Sequence, residues 1–188
     1  MTLTRNDAAT ALHDVHSASR HSITLFQYGL ASPYLLLWGV LWIVAGAAGA
    51  VSPHNAGIGW LVVDIVGFAG TGVLIAVQSR RYAEGAGRTR LFRCIATGAV
   101  LVAFVALTIS VVAPVSDAEV LTFITLVVAA AYAIAGCWTG GRYALVGGVL
   151  AGVAGGLFHL APDLVPLVVP FVGGGTLILG GLWMRCAR

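Results

Sequence analysis

Residues 140–162 read GGRYALVGGVLAGVAGGLFHLAP and identify the kind of fold this chain forms. In water so many glycines would destabilise a helix, because glycine loses more backbone entropy on folding than other residues do. In a bilayer the backbone finds no partners outside the helix, and small side chains let two helices approach closely. The stretch therefore predicts a transmembrane helix. Its small residues recur at every fourth position and predict a glycine zipper that packs on a neighbouring helix: Gly140, Ala144, Gly148, Gly152 and Gly156.

The composition of the whole chain agrees with a membrane protein. Apolar residues make up 59% of the 188 residues and charged residues 9%, whereas about a quarter of a soluble domain is charged. Mean hydropathy is +0.96. All ten basic residues are arginine, and they form no basic patch interleaved with aromatic residues, so we expect no nucleic-acid partner. The fold class predicted is all-α, a polytopic bundle of membrane helices.

Six apolar segments have the length of a membrane span, about 20 residues for a hydrocarbon core of roughly 30 Å. The connections between them are too short for a separate soluble domain. We therefore predict that residues 26–188 form one six-helix transmembrane domain. The segments are Gly29–Val51, Ile58–Val77, Leu91–Ala113, Val120–Trp138, Tyr143–Ala161 and Leu164–Met184.

Residues 1–25 are polar and form either a cytoplasmic tail or a short amphipathic helix on the membrane surface. His13 and His16 stand three residues apart, a spacing at which two histidines can share a metal ion. No fixed set of four ligands accompanies them, so we expect incidental histidines on a solvated tail. The spans contain only His159, whereas a membrane haem with two histidine ligands needs a pair. No metal and no cofactor are predicted.

The arginines all precede, join or follow the spans on one side of the predicted topology. The loops on the other side contain none, and two of them carry Asp117, Glu119 and Asp163. Positively charged loops stay on the cytoplasmic side. Both termini are therefore predicted to be cytoplasmic.

Two parts of the chain resemble each other. Residues 39–53, GVLWIVAGAAGAVSP, align without gaps to residues 148–162, GVLAGVAGGLFHLAP, and LVVDIVG at 61–67 matches LVVPFVG at 167–173. With residues 98–114 as a more divergent copy, this pattern predicts three parallel αα-hairpins. The alternative is coincidence, because glycine, valine, leucine and alanine are common in any span.

These hairpins, with glycines in both helices, proline at the turn and arginine at the end, resemble the HdeD-type small six-helix membrane proteins of bacteria. The resemblance covers residues 35–188. It implies a bundle in the inner (cytoplasmic) membrane of a bacterium, with a part in acid resistance, and it carries no functional residue across to this chain.

Asp64 is the acidic residue inside a span, and an intramembrane carboxylate is costly enough to suggest a function. His159 lies at a similar depth in the fifth span, so the two side chains could share a proton if their helices touch. The alternatives are a carboxyl that only fixes packing and an interfacial histidine in contact with headgroups and water.

No catalytic motif of the common hydrolase, metalloprotease or nucleotide-binding types is present, so no enzyme is predicted. Three functions stay open. The first is an integral membrane protein without catalysis, a homo-oligomer that supports envelope or acid-stress tolerance. The second is a small channel or transporter that uses an outer vestibule near Asp64, and the third is an assembly partner of a membrane complex. A wet cavity at Asp64 would favour the second, and a dry bundle with an open glycine face would favour the others.

Overall fold

A computed structural model describes the backbone of residues 5–82, 87–114 and 116–186, and the side chains of residues 27–80, 92, 96–114 and 116–186. The described backbone is helical apart from short connections and contains no strand, which confirms the all-α class. Six α-helices follow one another along the chain: α1 (Arg5–Val51), α2 (Ala56–Tyr82), α3 (Gly87–Val112), α4 (Asp117–Thr139), α5 (Gly141–Leu160) and α6 (Val165–Arg185).

Five stretches are long and apolar enough to cross a membrane: Gln27–Val51, Pro53–Arg80, Asp117–Thr139, Gly141–Leu160 and Pro162–Arg185. The chain therefore has the helices of a multi-pass membrane protein. In α3 the apolar part that the structure describes, Ala96–Val112, is shorter than in the other five helices. The sixth span remains a prediction.

The first helix is longer than predicted. It begins at Arg5 and continues for 47 residues to Val51, through the interior Pro33. No glycine or proline lies between Arg5 and Tyr28, so nothing in the sequence breaks the helix at residue 25. The polar tail and the first span are thus one helix, and a surface location for the tail stays a prediction.

The helices pack most extensively in two antiparallel pairs, α1 with α6 and α4 with α5. Smaller interfaces join α1 to α2 and α5 to α6, and α3 packs only lightly, on α2. The buried side chains at the centre come mainly from α1, α5 and α6, among them Leu35, Trp42, Val146, Leu150, Val169, Leu177 and Met184. The fold is therefore a bundle around α1, α5 and α6, with α3 at its edge.

Two of the connections have the same geometry. A 3₁₀ turn starts at Pro53 between α1 and α2, and another starts at Pro162 between α5 and α6. The residue before each proline is extended, with φ of −138° at Ser52 and −155° at Ala161, as expected before proline. The connection from α3 to α4 differs, since Ala113 has a φ of 45° before Pro114. The first and last of the three predicted hairpins thus have similar turns, and the turn of the middle hairpin differs from both.

Candidate functional site

Glycines close the α1–α6 interface. A Cβ atom added at Gly39 would lie 2.7 Å from the carbonyl oxygen of Gly174, and one added at Gly174 would lie 2.6 Å from that of Gly39. The buried Ser32 hydroxyl also donates a 2.8 Å hydrogen bond to the Gly181 carbonyl. Small residues here bring two backbones together, as is common between membrane helices.

Three glycines of the predicted row in α5 do not lie in a helix contact of this kind. A Cβ added at Gly148, Gly152 or Gly156 would meet no atom of the described residues within 4 Å. The adjacent Gly147 instead makes the close contact, since a Cβ there would lie 2.5 Å from the Ala129 oxygen in α4. Within the described chain the predicted row therefore packs on a neighbouring helix only at its start, where Ala144 lies against Gly136 of α4. Helices α4 and α6 cover α5 on other faces, which leaves Gly148, Gly152 and Gly156 on the outside of the bundle.

Asp64 is half-buried, about two turns after the start of α2. No described residue donates a hydrogen bond to its carboxyl group or forms an ion pair with it. Its helix packs on α1 and lightly on α3. A carboxyl group without a partner is unusual in an apolar span, because burying it away from water is costly.

Two pairs of aromatic rings flank Asp64 at the α1–α2 interface. Trp60 precedes it by one helical turn and meets Trp42 edge to face, with ring centroids 6.0 Å apart. Phe68 follows it by one turn and meets Trp38 edge to face at 5.4 Å. Residues four apart on a helix lie about 6 Å from each other. Asp64 is therefore framed by aromatic rings on both sides along α2.

Hydrogen bonds join α1 and α2 between these aromatic rings and the Arg80 end of α2. The Trp38 indole donates to the Thr71 hydroxyl at 3.1 Å. Further along, the Tyr34 hydroxyl donates to Gln78 at 3.0 Å, and the Gln78 amide donates to the Leu30 carbonyl at 2.9 Å. These bonds fix the register of the two helices and so fix the position of the aromatic pairs.

His159 forms no hydrogen bond or ion pair with Asp64 among the described residues. It is exposed near the end of α5, where its ring meets that of Phe158 at 5.6 Å. Helices α2 and α5 are not among the extensively packed pairs. A proton shared by Asp64 and His159 stays a prediction.

A cluster around Arg142 is a feature that the sequence analysis missed. The Arg142 guanidinium lies 4.7 Å from the centroid of the Trp183 ring and 5.3 Å from that of Tyr28, and it donates a 2.9 Å hydrogen bond to the Trp183 carbonyl. Cation–π contacts of this kind stabilise a charge at an interface. The cluster ties the start of α5 to α1 and to the end of α6. The sequence signal was one arginine at a tight turn, which gives no hint of the two rings.

A small apolar cavity of about 130 Å³ lies between the end of α3 and the start of α4, lined by Thr108, Ile109, Val112, Pro114, Glu119, Val120 and Phe123. None of these residues belongs to α2, so the cavity is not a vestibule for Asp64. Among the described residues no group of three histidine, cysteine or acidic side chains could hold a metal ion. The side chains of His13 and His16 lie outside the described part.

No protein-family model matches the chain, and no curated protein and no solved structure matches it significantly. The resemblance to HdeD-type proteins therefore stays a prediction.

Proposed function

We propose that this chain is a non-catalytic, multi-pass protein of the bacterial inner membrane that acts by assembling with further copies of itself. The observation that carries the proposal is the open row of Gly148, Gly152 and Gly156 on the outside of the bundle. A row of small residues facing lipid offers a shallow groove into which another helix can pack its backbone closely. A different membrane protein as the partner is the competing outcome.

The orientation proposed has both termini in the cytoplasm. Arg142 contacts the end of α6, where Arg185 also lies, and Asp163 lies in the turn that begins α6 at the other end. Such a one-sided distribution of arginine supports the orientation. Thiol labelling of cysteines introduced at Asn55, Ser116 and Asp163 should occur from the periplasmic side. Labelling of any of them from the cytoplasm would contradict it.

We also propose six spans built from repeated hairpins. The matching turns at Pro53 and Pro162 support this, as does the pattern of packing, in which the first helix of a hairpin meets the second helix of another: α1 with α6, α5 with α4 and α3 with α2. Helix α3, the first helix of the middle hairpin, packs less extensively on its partner than α1 and α5 do on theirs.

Cysteine crosslinking in native membranes tests the assembly. In a background in which Cys94, Cys137 and Cys186 are replaced by serine, Gly152→Cys should form a disulfide-linked dimer on mild oxidation. Val146→Cys, at a position buried in the monomer, is the matched control and should stay monomeric. Equal crosslinking of both variants, or none, would contradict the proposed interface.

The physiological role proposed is support of envelope or acid-stress tolerance, and its basis is the HdeD-type resemblance. A strain that lacks the protein should survive acid challenge less well, and expression of the chain should restore survival. Unchanged survival would contradict this role and leave the assembly untouched.

A second function, a small channel or transporter, is favoured by one observation. Asp64 lies in a span without a hydrogen-bond partner among the described residues, which costs free energy that a structural role does not repay. Reconstituted vesicles should then show a flux that Asp64→Asn abolishes.

A further inference from the structure

The Asp64 site has the composition of a cation site. Its carboxyl group is half-buried and meets no donor among the described residues. Aromatic rings stand one turn before it and one turn after it, at Trp60 and Phe68, and each is held edge to face by a tryptophan of α1. The faces of aromatic rings carry negative charge density and attract cations. A carboxylate and ring faces together repel anions and favour a positive charge.

The residues around Asp64 suit an organic cation better than a metal ion. Calcium and magnesium need about six oxygen ligands, and here one carboxyl group lies on α2 between the aromatic residues Trp60 and Phe68 of the neighbouring turns. A small metal ion would therefore leave most of its coordination empty. An organic cation keeps its apolar groups in contact with the rings while its charge lies near the carboxylate, and it dissolves in the lipid from which Asp64 can be reached.

We propose that Asp64 and the rings of Trp60 and Phe68, which Trp42 and Trp38 hold in place from α1, bind a lipophilic monovalent organic cation, of the quaternary ammonium or phosphonium class, that enters from the membrane. The proposal deepens the second function above by naming its ligand class. Binding does not require transport, so the site and the transport function can fail separately.

Charge balance couples binding of the cation to release of a proton. A lone carboxylate in a span costs more than a protonated carboxyl group. When the carboxyl group of the empty site holds a proton, the arriving cation replaces it, so that one proton leaves to water for each cation bound and the site stays neutral. Affinity for the cation should rise with pH because proton and cation compete.

Few other groups near Asp64 titrate. The turn before α2 contributes His54, which is exposed. The described side chains of α1 contribute only Tyr28 and Tyr34, and Tyr34 lies beyond the Trp38–Thr71 bond, next to Gln78. The described side chains of α3 contribute none. Asp64 is thus the group expected to release the proton.

The test is a titration of the full-length protein in lipid nanodiscs with tetraphenylphosphonium, followed by equilibrium dialysis and by tryptophan fluorescence. Wild type should bind saturably, about tenfold more tightly for each pH unit while the empty site is protonated, and should release one proton per cation. Asp64→Asn keeps the shape of the side chain and should bind at least tenfold more weakly. Trp60→Leu should weaken binding about two- to fivefold, which is the loss expected when a single solvent-exposed cation–π contact is removed.

Asp163→Asn is the matched control, because Asp163 is an exposed acid in the turn before α6 and should leave binding unchanged. Thermal unfolding of each variant checks that it is folded. Equal binding by Asp64→Asn or by Trp60→Leu, or an affinity independent of pH, would overturn the site. Binding as proposed, with no cation flux in reconstituted vesicles, would keep the site and overturn the transport function alone.

Discussion

The inner contact of α1 with α6 and the outer face of α5 are both built on glycine, yet they behave in opposite ways. At Gly39 and Gly174 two backbones touch so closely that neither residue can carry a side chain. At Gly148, Gly152 and Gly156 an added Cβ atom would meet nothing within 4 Å in the part of the chain that the structure describes. The predicted repeat aligns Gly39 with Gly148, so the same kind of residue closes one helix pair and leaves a face of the other helix open. The difference shows that what a glycine row does depends on which face of its helix already has a partner.

The largest expected effect comes from filling the closed contact. Gly39→Leu should lower the free energy of unfolding of the monomer in detergent by about 3 kcal/mol, the upper part of the usual range for overpacking. The reason is that the added carbon would meet the Gly174 backbone, which cannot move aside as a flexible side chain can. Thermal or denaturant unfolding measures the change.

The control for that variant is Gly152→Leu, which places the same side chain in open space. We expect a change within about 0.5 kcal/mol for the monomer, as at an ordinary exposed position. If Gly152→Leu destabilises the monomer as much as Gly39→Leu does, the contrast between the two faces is wrong.

Adjacent residues on α5 give a sharper version of the comparison. Gly147→Ala should lower stability by about 1 to 2 kcal/mol, since its methyl group would press on the Ala129 carbonyl. Gly148→Ala should raise stability by up to about 0.5–1 kcal/mol, the helix propensity that alanine adds where nothing opposes it. Unfolding in the same detergent compares the two. Changes of the same sign in both variants would show that the register of α5 is misplaced.

The smallest expected effect concerns the hydrogen bond inside the closed contact. Ser32→Ala removes the buried bond to Gly181 and should cost about 0.6 kcal/mol, the average for polar contacts between membrane helices. Ser110→Ala is its control, because that exposed hydroxyl bonds only to Leu107 in its own helix. Equal losses in the two variants would mean that the Ser32 bond adds nothing to the α1–α6 contact.

Helix ends were largely predictable where proline or glycine punctuates the chain. The last two spans were predicted at Tyr143–Ala161 and Leu164–Met184, and α5 and α6 run over Gly141–Leu160 and Val165–Arg185. A short helix within residues 1–25 was one of two predicted alternatives, but its continuity with the first span was not predicted, because the span was expected to be a separate helix. Periodicity thus finds the spans but does not show that a polar helical extension continues into one of them.

The candidate site was predictable only in part. A charged residue in an apolar span can be picked out by composition, and Asp64 was. The aromatic pairs around it depend on the register between α1 and α2, which Trp38, Thr71, Tyr34 and Gln78 set by contacts far apart in the chain. The outward position of Gly148, Gly152 and Gly156 could not be predicted for a similar reason, since helical spacing gives the faces of a helix but not the face that meets a partner.

Native mass spectrometry of wild type and Gly152→Leu, released from the same lipid nanodiscs, tests most directly whether the open row is an assembly surface. Wild type should be a homo-oligomer, and Gly152→Leu should be a monomer whose unfolding temperature in detergent is unchanged. An oligomer that persists in Gly152→Leu, or a wild type that is monomeric in lipid, would contradict the assembly proposed for the row of Gly148, Gly152 and Gly156.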